Sequence, residues 1–297
     1  MKEFNIKYLI KKIGKCCVKI NCDLTSYNSF KIKKIAKFLF LPNTIKKSVF
    51  LIKYLKKFNK EFVILGNGTN VLIQNNLNIV ICFKNLKGLK INKTKVFAES
   101  GVSLFYLNEK LASLGFSSLE KSYGIPASVG GAVVQNCGAY GFNISDKITK
   151  VLIFNGKTIK FIKKENLNFA YRTSIFKENK NLVVLGAEFV LEKKNKDEIL
   201  NELNTILTLR KEKQPYEYPS AGSVFKRYEG VIISKLIDEL GLKGYEIGGA
   251  KISEKHAGFI VNFNNATSED VLNLINFVKN KIKSVKNIDL NLEIVLL

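Results

Sequence analysis

The most constraining feature of this sequence is a glycine-rich segment at residues 123–141, with the sequence YGIPASVGGAVVQNCGAYG. It holds five of the 20 glycines of the chain and no charged side chain. Glycine permits positive φ and close approach of the backbone to a ligand, and successive bare amides form concave sites for phosphate oxygens. The apolar spacers distinguish the segment from a flexible linker. It therefore predicts a backbone wrapped around a large anionic cofactor.

A second glycine motif, GNGTN at residues 66–70, directly follows a short apolar stretch that predicts a strand. Its amides and the Thr69 hydroxyl can all donate to a phosphate. The motif lacks the full GxGxxG pattern and the strand–turn–helix context of a dinucleotide fold, so a turn without a ligand is the simpler interpretation when it is taken alone. Together with the segment about sixty residues further on, a phosphate-binding turn is favoured.

Length and cysteine content limit the class of protein. A chain of 297 residues buries a large core and predicts two domains. No apolar run reaches the roughly 20 residues of a membrane span, and the start shows no secretory signal. The five cysteines are scattered and accompanied by one histidine, which favours reduced thiols in a cytosol and argues against a metal site.

The net charge of +23 raises the question of nucleic-acid binding. The excess is almost entirely lysine, a bias typical of an AT-rich genome, and these lysines are not interleaved with aromatic residues as in RNA-binding motifs. A solvated basic face is the favoured interpretation, although a positive field also favours anionic small ligands. Against this bias the three arginines, Arg172, Arg210 and Arg227, indicate bidentate roles that lysine cannot perform.

The hydrophobic patterns predict strands mixed with helices and no internal repeat, which is an α+β fold. A polar stretch at residues 192–198 predicts a domain boundary. Thr267 or Ser268 predicts the cap of a long helix, and Asn155-Gly156 predicts a hairpin turn. The predicted helices are 44–60, 104–114, 199–210, 231–240 and 268–284, and the predicted strands are 61–65, 71–73, 79–83, 151–154, 158–162, 182–191, 245–252, 258–263 and 288–297.

Four further residues are candidates for a functional role, and each also has an ordinary structural explanation. Arg172 lies in a polar patch, where an ion pair with Glu178 would also explain it. Ser223 lies between two turns with no nucleophile elbow, and His256 is the only histidine, which argues against a hydrolase triad. Glu293 lies in an apolar stretch, where a carboxylate requires a cation or a shifted pKa. His256 itself fits a core histidine equally well.

Six ordered motifs together resemble the UDP-N-acetylenolpyruvoylglucosamine reductase family, from about residue 28 to the C-terminus. They are LGNGTNVLI, GIPASVGGAVVQNCGAYG, YRTSIF, SAGSVFK, IGGAKISEKHAGFIVN and LNLEIVLL. The resemblance implies reduction of an enolpyruvyl UDP-sugar to UDP-N-acetylmuramate in peptidoglycan precursor synthesis. FAD is the implied cofactor and NADPH the implied hydride donor.

The same resemblance implies a FAD-binding domain of the vanillyl-alcohol-oxidase (PCMH) type over residues 1–193, with subdomains of about 1–60 and 61–193. A smaller α+β substrate-binding domain is expected at 199–284, followed by a C-terminal strand at 285–297. The residues expected to bind the cofactor are Gly66, Asn67, Gly68, Thr69, Asn70, Gly124, Ile125, Pro126, Ser128, Gly130, Gly131, Asn136, Gly138, Ala139, Tyr140 and Gly141.

By motif, the family's catalytic roles are expected at Arg172, Ser223 and Glu293. A guanidinium at Arg172 suits the negative charge that hydride addition places on the substrate carboxylate, and the Ser223 hydroxyl suits protonation of the neighbouring carbon. Glu293 is expected to donate to the same intermediate. The residues expected to bind the sugar nucleotide are Tyr171, Lys213, Lys226, Arg227 and His256.

Two departures accompany the resemblance. Lys33 and Lys34 stand where the family usually has a glycine pair, and the chain has no room after Ser174 for the tyrosine-bearing lid loop of one branch. The chain is therefore similar to the shorter branch. We expect a cytoplasmic monomer with no metal, no nucleic-acid partner and no membrane insertion. The alternatives are another flavin oxidoreductase on this fold, or a non-catalytic basic binding protein.

Overall fold

The computed structural model describes residues 4–297. The chain divides into two compact units, and each unit is built from three stretches of sequence. Of the described residues, the first unit contains 4–20, 38–67 and 78–208, and the second contains 21–37, 68–77 and 209–297. The second unit thus takes two short stretches from the N-terminal part of the chain. The composition of these stretches does not indicate that they belong to it.

Eight α-helices lie in the described chain, and side-chain caps fix several of their starts. Thr44 accepts a hydrogen bond from the Lys47 amide at 3.2 Å, and Thr267 forms a reciprocal capping box with Asp270. Both starts match the predicted helices. The helices are α1 (Ile6–Ile13), α2 (Ile45–Lys57), α3 (Leu104–Ser113), α4 (Val129–Gln135), α5 (Ile175–Glu178), α6 (Lys196–Lys213), α7 (Ile233–Glu239) and α8 (Ser268–Lys286).

The strands are mostly short. They are β1 (Val18–Asp23), β2 (Ile35–Phe40), β3 (Val63–Leu65), β4 (Val71–Leu72), β5 (Leu77–Cys82), β6 (Leu89–Ile91), β7 (Lys95–Glu99), β8 (Phe116–Ser117), β9 (Gly138–Ala139), β10 (Phe142–Asn143), β11 (Ile148–Phe154), β12 (Ile159–Lys163), β13 (Val183–Val190), β14 (Glu192–Lys193), β15 (Ser220–Ser223), β16 (Glu246–Ile247), β17 (Ala250–Ile252), β18 (Phe259–Asn262) and β19 (Val295–Leu296). One four-stranded sheet has the order β1-β2-β5-β3. Helices and strands alternate irregularly, which confirms the α+β class.

The first unit is organised around an antiparallel five-stranded sheet of order β12-β11-β13-β7-β6. The predicted hairpin joins β11 to β12, and the Asn155 side chain accepts hydrogen bonds from the Lys157 and Thr158 amides at 2.9 and 2.8 Å. Gly156 has φ +91°, which explains the Asn-Gly pair. The strand β13 is buried along nearly its whole length, as expected of a central strand, and α4 packs against it.

The second unit is organised around the antiparallel sheet β15-β18-β17-β16, with α8 packed on β16 and β17. The apolar side of α8 carries Val271, Leu274, Ile275, Val278 and Ile282, all at most 1% exposed. At about 25 cal/mol per Å² of buried apolar surface, this stripe stabilises the docked helix far more than its intrinsic propensity does. The core of this unit also includes Phe30 and Ile32.

Several predicted boundaries were wrong. The helix expected at 199–210 begins at Lys196, so part of the polar stretch at 192–198 is its first turn, where Asp197 and Glu198 interact favourably with the helix dipole. The strand expected at 245–252 is a hairpin, because Gly248 turns the chain with φ +55°. The strand expected at 288–297 shrinks to β19, so Glu293 lies in a bend. No prediction was made for α1.

The two lysines in place of the family's glycine pair are compatible with the local backbone. Neither Lys33 nor Lys34 has positive φ, and the left-handed residue of this stretch is Lys31, with φ +58°. The Lys34 carbonyl accepts a hydrogen bond from the Leu24 amide at 2.8 Å. A Cβ is therefore no obstacle at either position. Within residues 4–297, no helix is both long and apolar enough to cross a membrane.

Candidate active site

The turn at residues 66–70 uses its carbonyl groups, but not most of its amides, inside the protein. The Gly68 carbonyl accepts a hydrogen bond from the Ser29 amide at 3.0 Å, and the Asn70 carbonyl accepts one from the Val295 amide at 2.9 Å. In the part of the chain that the structure describes, the amides of the last four residues of the turn donate to no protein acceptor. Such amides on a tight turn are the donors that hold phosphate oxygens.

The glycine-rich segment is not an extended wrap along its whole length, because its middle forms α4. Ser128 caps this helix by accepting a hydrogen bond from the Gly131 amide at 3.3 Å. The Gly130 amide donates to the Ser100 carbonyl at 2.9 Å, and a Cβ at Gly130 would lie 2.8 Å from the Ser100 Cβ. Gly130 is thus required by the packing of α4, which sequence reasoning missed because glycine is a poor helix former.

The structure brings the two glycine motifs into contact within the first unit. A Cβ at Gly66 would overlap the Ser128 hydroxyl, so the turn passes directly over the start of α4. The Asn67 side-chain amide donates to the Pro126 carbonyl at 2.9 Å. Close to this contact Gly124 has φ +86°, and the Ile125 amide donates to the Ser122 carbonyl at 3.0 Å.

These residues fit a dinucleotide cofactor. The turn at 66–70 offers unpaired amides, and neither it nor the segment at 123–141 contains a carboxylate to repel a pyrophosphate. Gly68 has φ +68°, and a Cβ there would overlap the Tyr27 carbonyl, so a side chain cannot replace the bare backbone. Gly66 and Asn67 belong to the first unit, and Gly68, Thr69 and Asn70 to the second.

The end of the glycine-rich segment is a tight hairpin formed by β9 and β10. Gly138 pairs with Asn143 and Ala139 with Phe142, which leaves Tyr140 and Gly141 as the two turn residues. Both have positive φ, +53° and +74°. Such a turn matches the twist of the flanking strands and tolerates glycine at its tip. Tyr140 is half exposed there, and a Cβ at Gly141 would meet no atom within 4 Å.

Arg172 lies at the tip of a second tight turn in the first unit. Ala170 and Thr173 exchange two backbone hydrogen bonds of 3.2 Å, with Tyr171 and Arg172 between them. Arg172 has φ +54°, an uncommon conformation for a side chain of this size. Its Nη2 donates to the Gly138 carbonyl at 2.6 Å, and its guanidinium lies 5.1 Å from the centre of the exposed Tyr171 ring.

The turn that carries Arg172 is attached to the C-terminal end of α4. The Asn136 side chain donates to the Ala170 carbonyl at 2.9 Å, and the Ser174 hydroxyl donates to the Val134 carbonyl at 2.6 Å. Asn136 has φ +45°, ends α4 and accepts a hydrogen bond from the Ser145 amide at 3.3 Å. Sequence reasoning assigned Asn136 to the cofactor, but the structure shows its amide bonded to the arginine turn.

Ser223 and Glu293 lie in the second unit and are neighbours through the backbone. Ser223 ends β15 and pairs with Phe259 after an irregularity at Gly222, whose φ is +78°. The Glu293 amide donates to the Val224 carbonyl, the residue after Ser223, at 2.8 Å. Both side chains are partly buried. The structure thus places two of the three expected catalytic residues side by side, and Arg172 belongs to the first unit.

The backbone at Glu293 is also bonded to the glycine turn. The Asn70 side-chain amide donates to the Glu293 carbonyl at 3.1 Å. Two residues further on, the Val295 amide donates to the Asn70 carbonyl, and β19 pairs in parallel with β4. One side chain of the turn at 66–70 therefore contacts the residue expected to be the catalytic carboxylate.

The expected sugar-nucleotide residues of the second unit lie at different depths. Lys213 is exposed at the last position of α6, Arg227 is exposed, and Lys226 is half-buried with its amide donating to the Asn291 carbonyl at 2.9 Å. Lys226 and Arg227 follow Ser223 closely in the chain. The positive charges of these lysine and arginine side chains suit the phosphates of a ligand. Tyr171 belongs to the first unit.

His256 is held by its own loop. Its Nδ1 accepts a hydrogen bond from the Gly258 amide at 3.1 Å, and its ring packs edge-on against Phe259 at 4.9 Å. Burial lowers the pKa of His256 below its usual value, which favours the neutral ring. With Nδ1 accepting, the neutral tautomer carries its proton on Nε2 and is a donor there.

Sequence reasoning missed Lys177 altogether. Its Nζ donates to the Arg172 carbonyl at 3.2 Å and to the Gln135 side-chain oxygen at 3.0 Å. In a chain so rich in lysine, nothing in the sequence distinguishes this lysine from its neighbours. Among residues 4–297, no group of three or more His, Cys, Asp or Glu side chains is arranged to hold a metal ion.

Comparisons with protein-family models match both parts of the chain. Residues 36–158 match the model of a FAD-binding domain, and residues 214–297 match the model of the UDP-N-acetylenolpyruvoylglucosamine reductase C-terminal domain. The first match contains both glycine motifs, and the second contains Ser223 and Glu293. The matches confirm that a FAD-binding domain is combined with the family's C-terminal domain.

Curated relatives and a solved structure extend the match to nearly the full chain. UDP-N-acetylenolpyruvoylglucosamine reductase of Fervidobacterium nodosum is 41% identical over 282 residues, covering 94% of this chain and 91% of the relative. That of Clostridium tetani is 38% identical over 299 residues, covering 100% and 97%. The crystal structure of the reductase from Thermus caldophilus has a TM-score of 0.79 and 29% identity, covering 94% of this chain and 97% of that chain.

A more distant structure shows the fold alone. The glucose dehydrogenase Phl p 4.0202 has a TM-score of 0.50 at 12% identity, over 63% of this chain and 44% of that chain. The similarity agrees with the expected vanillyl-alcohol-oxidase type of FAD-binding fold. Identities of about 40% across nine-tenths of the chain are far more specific. The chain belongs to the UDP-N-acetylenolpyruvoylglucosamine reductase family.

Proposed function

We propose that this protein reduces enolpyruvyl-UDP-N-acetylglucosamine to UDP-N-acetylmuramate, with FAD as cofactor and NADPH as hydride donor, in peptidoglycan precursor synthesis. The observation that carries the proposal is the 41% identity to curated reductases over 94% of the chain. The glycine turn with its unpaired amides agrees with it, because the reaction requires a bound dinucleotide.

We propose that the turn at residues 66–70 and the segment at 123–141 hold FAD. The amides of the turn are suited to its phosphates. Asn67, Pro126 and Ser128 support the turn from the side of α4. When bound, FAD accepts hydride from NADPH and supplies it to the enolpyruvyl double bond. The protein orients the substrate and stabilises the charge that forms on it.

Arg172 is assigned to the substrate carboxylate. Hydride addition to the terminal carbon of the enolpyruvyl group moves negative charge onto that carboxylate, and a guanidinium holds it with two parallel hydrogen bonds. A lysine offers one compact charge and no fork. The half-buried position of Arg172 and its bond to the Gly138 carbonyl restrict the directions in which the guanidinium points.

Ser223 and Glu293 are assigned to the proton steps. The Ser223 hydroxyl gives its proton to the carbon next to the carboxylate, which is a strong base once charge has developed on it. Glu293, in its protonated form, donates a hydrogen bond to the same intermediate. Their adjacency through the Glu293 amide and the Val224 carbonyl supports a common task.

The sugar nucleotide is assigned to a set of side chains beyond these three. Lys213, Lys226 and Arg227 supply positive charge for the diphosphate, and Tyr171 and the Nε2–H of His256 supply contacts for the sugar. We propose the division predicted from the sequence, with FAD held by residues 1–193, substrate by residues 199–284, and a catalytic carboxylate on residues 285–297. We further propose a cytoplasmic monomer without a nucleic-acid partner, since its substrates are free nucleotides.

The experiment is product analysis with the purified protein. We expect yellow protein that contains FAD, and, with NADPH and enolpyruvyl-UDP-N-acetylglucosamine, a product heavier than the substrate by two hydrogens. Flavin bleached by NADPH without formation of this product would favour a different flavin oxidoreductase. Colourless protein that cannot be reconstituted with FAD would favour a non-catalytic binding protein.

A further inference from the structure

The Arg172 turn requires support because its backbone is strained. Arg172 has φ +54°, in the left-handed region that residues with a Cβ rarely adopt and that is strained for a long side chain. Such a conformation persists only where surrounding contacts determine it. The turn has two residues at its tip, so a change of backbone conformation at Arg172 redirects its guanidinium by several ångströms.

Lys177 supplies such a contact at Arg172 itself. The Nζ of this half-buried lysine donates to the Arg172 main-chain carbonyl at 3.2 Å. It also donates to the Gln135 side-chain oxygen at 3.0 Å, and Gln135 is only 8% exposed at the last position of α4. An ammonium with two oxygen acceptors forms charge-assisted hydrogen bonds, which are about twice as strong as neutral ones.

Lys177 acts together with three other bonds of the turn, two to the C-terminal end of α4 and one to β9. These bonds link Asn136 to Ala170, Ser174 to Val134, and the Arg172 guanidinium to Gly138. The N-cap of the same helix, Ser128, lies against Gly66 of the turn at residues 66–70. One short helix therefore contacts the proposed cofactor turn at its first residues and the arginine turn at its last.

We propose that Lys177 is a positioning residue that fixes the backbone of Arg172, and through it the guanidinium that holds the substrate carboxylate. Asn136 assists it from the other side of the turn. Lys177 contacts neither the reacting atoms nor the flavin in this proposal. The inference rests on the proposed reductase function and on the role assigned to Arg172.

The test is Lys177→Met, which keeps the aliphatic chain and removes the donors. We expect FAD content and flavin bleaching by NADPH to stay within about twofold of wild type. Reoxidation of the reduced flavin by enolpyruvyl-UDP-N-acetylglucosamine should slow on the order of 10- to 100-fold, because small misplacements of a catalytic group have effects of this size. The measurement is anaerobic stopped-flow absorbance of the two half-reactions.

Two control variants and two further measurements distinguish positioning from folding. Lys177→Arg should recover most of the rate, since a guanidinium reaches both acceptors. Lys180→Met, on an exposed neighbour, should match wild type. The thermal midpoint and the Kd for UDP, measured by calorimetry, should change little in Lys177→Met. If Lys177→Met folds poorly, Lys177→Gln replaces it, because it keeps a polar side chain but removes the ammonium group that donates to both oxygens.

Suppose the wild-type protein completes both half-reactions and Lys177→Met reoxidises its flavin at the same rate. That result overturns the inference and leaves the proposed function intact. Equal loss of flavin bleaching and reoxidation also overturns it, since the defect would then be general. If the wild type takes up FAD but its reduced flavin is not reoxidised by the enolpyruvyl substrate, the proposed function and the inference both fail.

Discussion

The regions that carry the expected catalytic residues are held in different ways. Arg172 lies on a strained turn that side chains of Asn136, Ser174 and Lys177 attach to a short helix. Ser223 and Glu293 lie on neighbouring segments joined by backbone hydrogen bonds, from the Glu293 amide to Val224 and from the Lys226 amide to Asn291. Side chains attach the Arg172 turn to its helix, whereas backbone hydrogen bonds join the segments of Ser223 and Glu293.

This difference determines where mutations have their effects. A backbone ladder survives replacement of its side chains, so substitutions at Ser223 or Glu293 remove chemistry without moving the chain. A turn held by side chains changes geometry when those side chains change, so residues that never contact substrate influence the rate. Effects at a distance from the reacting atoms are therefore expected mainly around Arg172.

The largest effect is expected in the backbone-held region, for Ser223→Ala. The backbone pairing with Phe259 does not depend on the hydroxyl, so the variant should fold normally. NADPH should still bleach the flavin, whereas reoxidation by the enolpyruvyl substrate should fall about 10²- to 10⁴-fold, the usual contribution of a positioned acid. The control is Ser220→Ala in the same strand. Normal turnover by Ser223→Ala would contradict the proton-donor role.

The next effect is expected in the side-chain-held region, for Arg172→Lys. The charge is retained but the fork that binds a carboxylate is lost, and so is the bond from Nη2 to the Gly138 carbonyl. Reoxidation of the flavin should fall about 10²- to 10³-fold, as for loss of a donor to a developing oxyanion. Steady-state kinetics and half-reaction kinetics measure it. A rate within a few-fold of wild type would show that a point charge is sufficient.

A smaller effect is expected for Asn70→Ala, which tests the side-chain bond from Asn70 to the Glu293 backbone. The change removes the amide that donates to the Glu293 carbonyl, while the backbone bonds on either side remain. Loss of about 1 kcal/mol corresponds to a roughly fivefold slower reoxidation. The exposed Asn75→Ala is the matched control. A loss comparable to that of Arg172→Lys would contradict the view that the backbone holds Glu293.

The smallest effect is on stability and concerns the second unit away from its catalytic pair. Hydrogen bonds from Thr267 and the Gly249 amide lower the pKa of Asp270 below its usual value. Because the folded pKa is lowered, the ionised carboxylate stabilises the fold above about pH 4, and this contribution is lost as the pH falls through the folded pKa.

Asp270→Asn should therefore lower the free energy of unfolding at about pH 7 by roughly 0.5–1 kcal/mol, the size of a helix cap. The difference from wild type should shrink at about pH 3.5, as urea unfolding at the two pH values will measure. Asp238→Asn, which breaks an exposed ion pair with Lys243, should change stability by less. A difference that is independent of pH would exclude the carboxylate as its source.

Local sequence signals predicted the parts of the fold that depend on local chemistry. Thr267 caps the helix for which Thr267 or Ser268 was the expected cap, the helix predicted from residue 44 begins there with Thr44 as its cap, and Asn155-Gly156 turns the expected hairpin. The terminal strand was predicted too long, because alternating apolar residues indicate buried side chains as readily as hydrogen bonding to a neighbouring strand. Ile294 is buried although only Val295 and Leu296 form a strand.

The candidate site was predictable where it depends on unusual residue types, and hidden where it depends on long-range contacts. The glycine motifs stand out by their glycine content, and Arg172 stands out as one of three arginines in a lysine-rich chain. The contacts of Asn136 and Lys177 do not stand out, because Asn136 bonds a carbonyl 34 residues away and Lys177 bonds a glutamine 42 residues away. A bond of this kind leaves no periodic pattern. The helix α4 was hidden as well, since one of its glycines, Gly130, serves packing against Ser100 rather than helix propensity.

The most direct test of the proposed function is an anaerobic single-turnover measurement of flavin absorbance in the wild-type protein. One equivalent of NADPH is mixed with the FAD-loaded chain, and enolpyruvyl-UDP-N-acetylglucosamine is added once the flavin is reduced. The proposed function predicts bleaching by NADPH and full return of the flavin absorbance with the enolpyruvyl substrate in the absence of oxygen. Flavin that is bleached and stays reduced after substrate is added would contradict it.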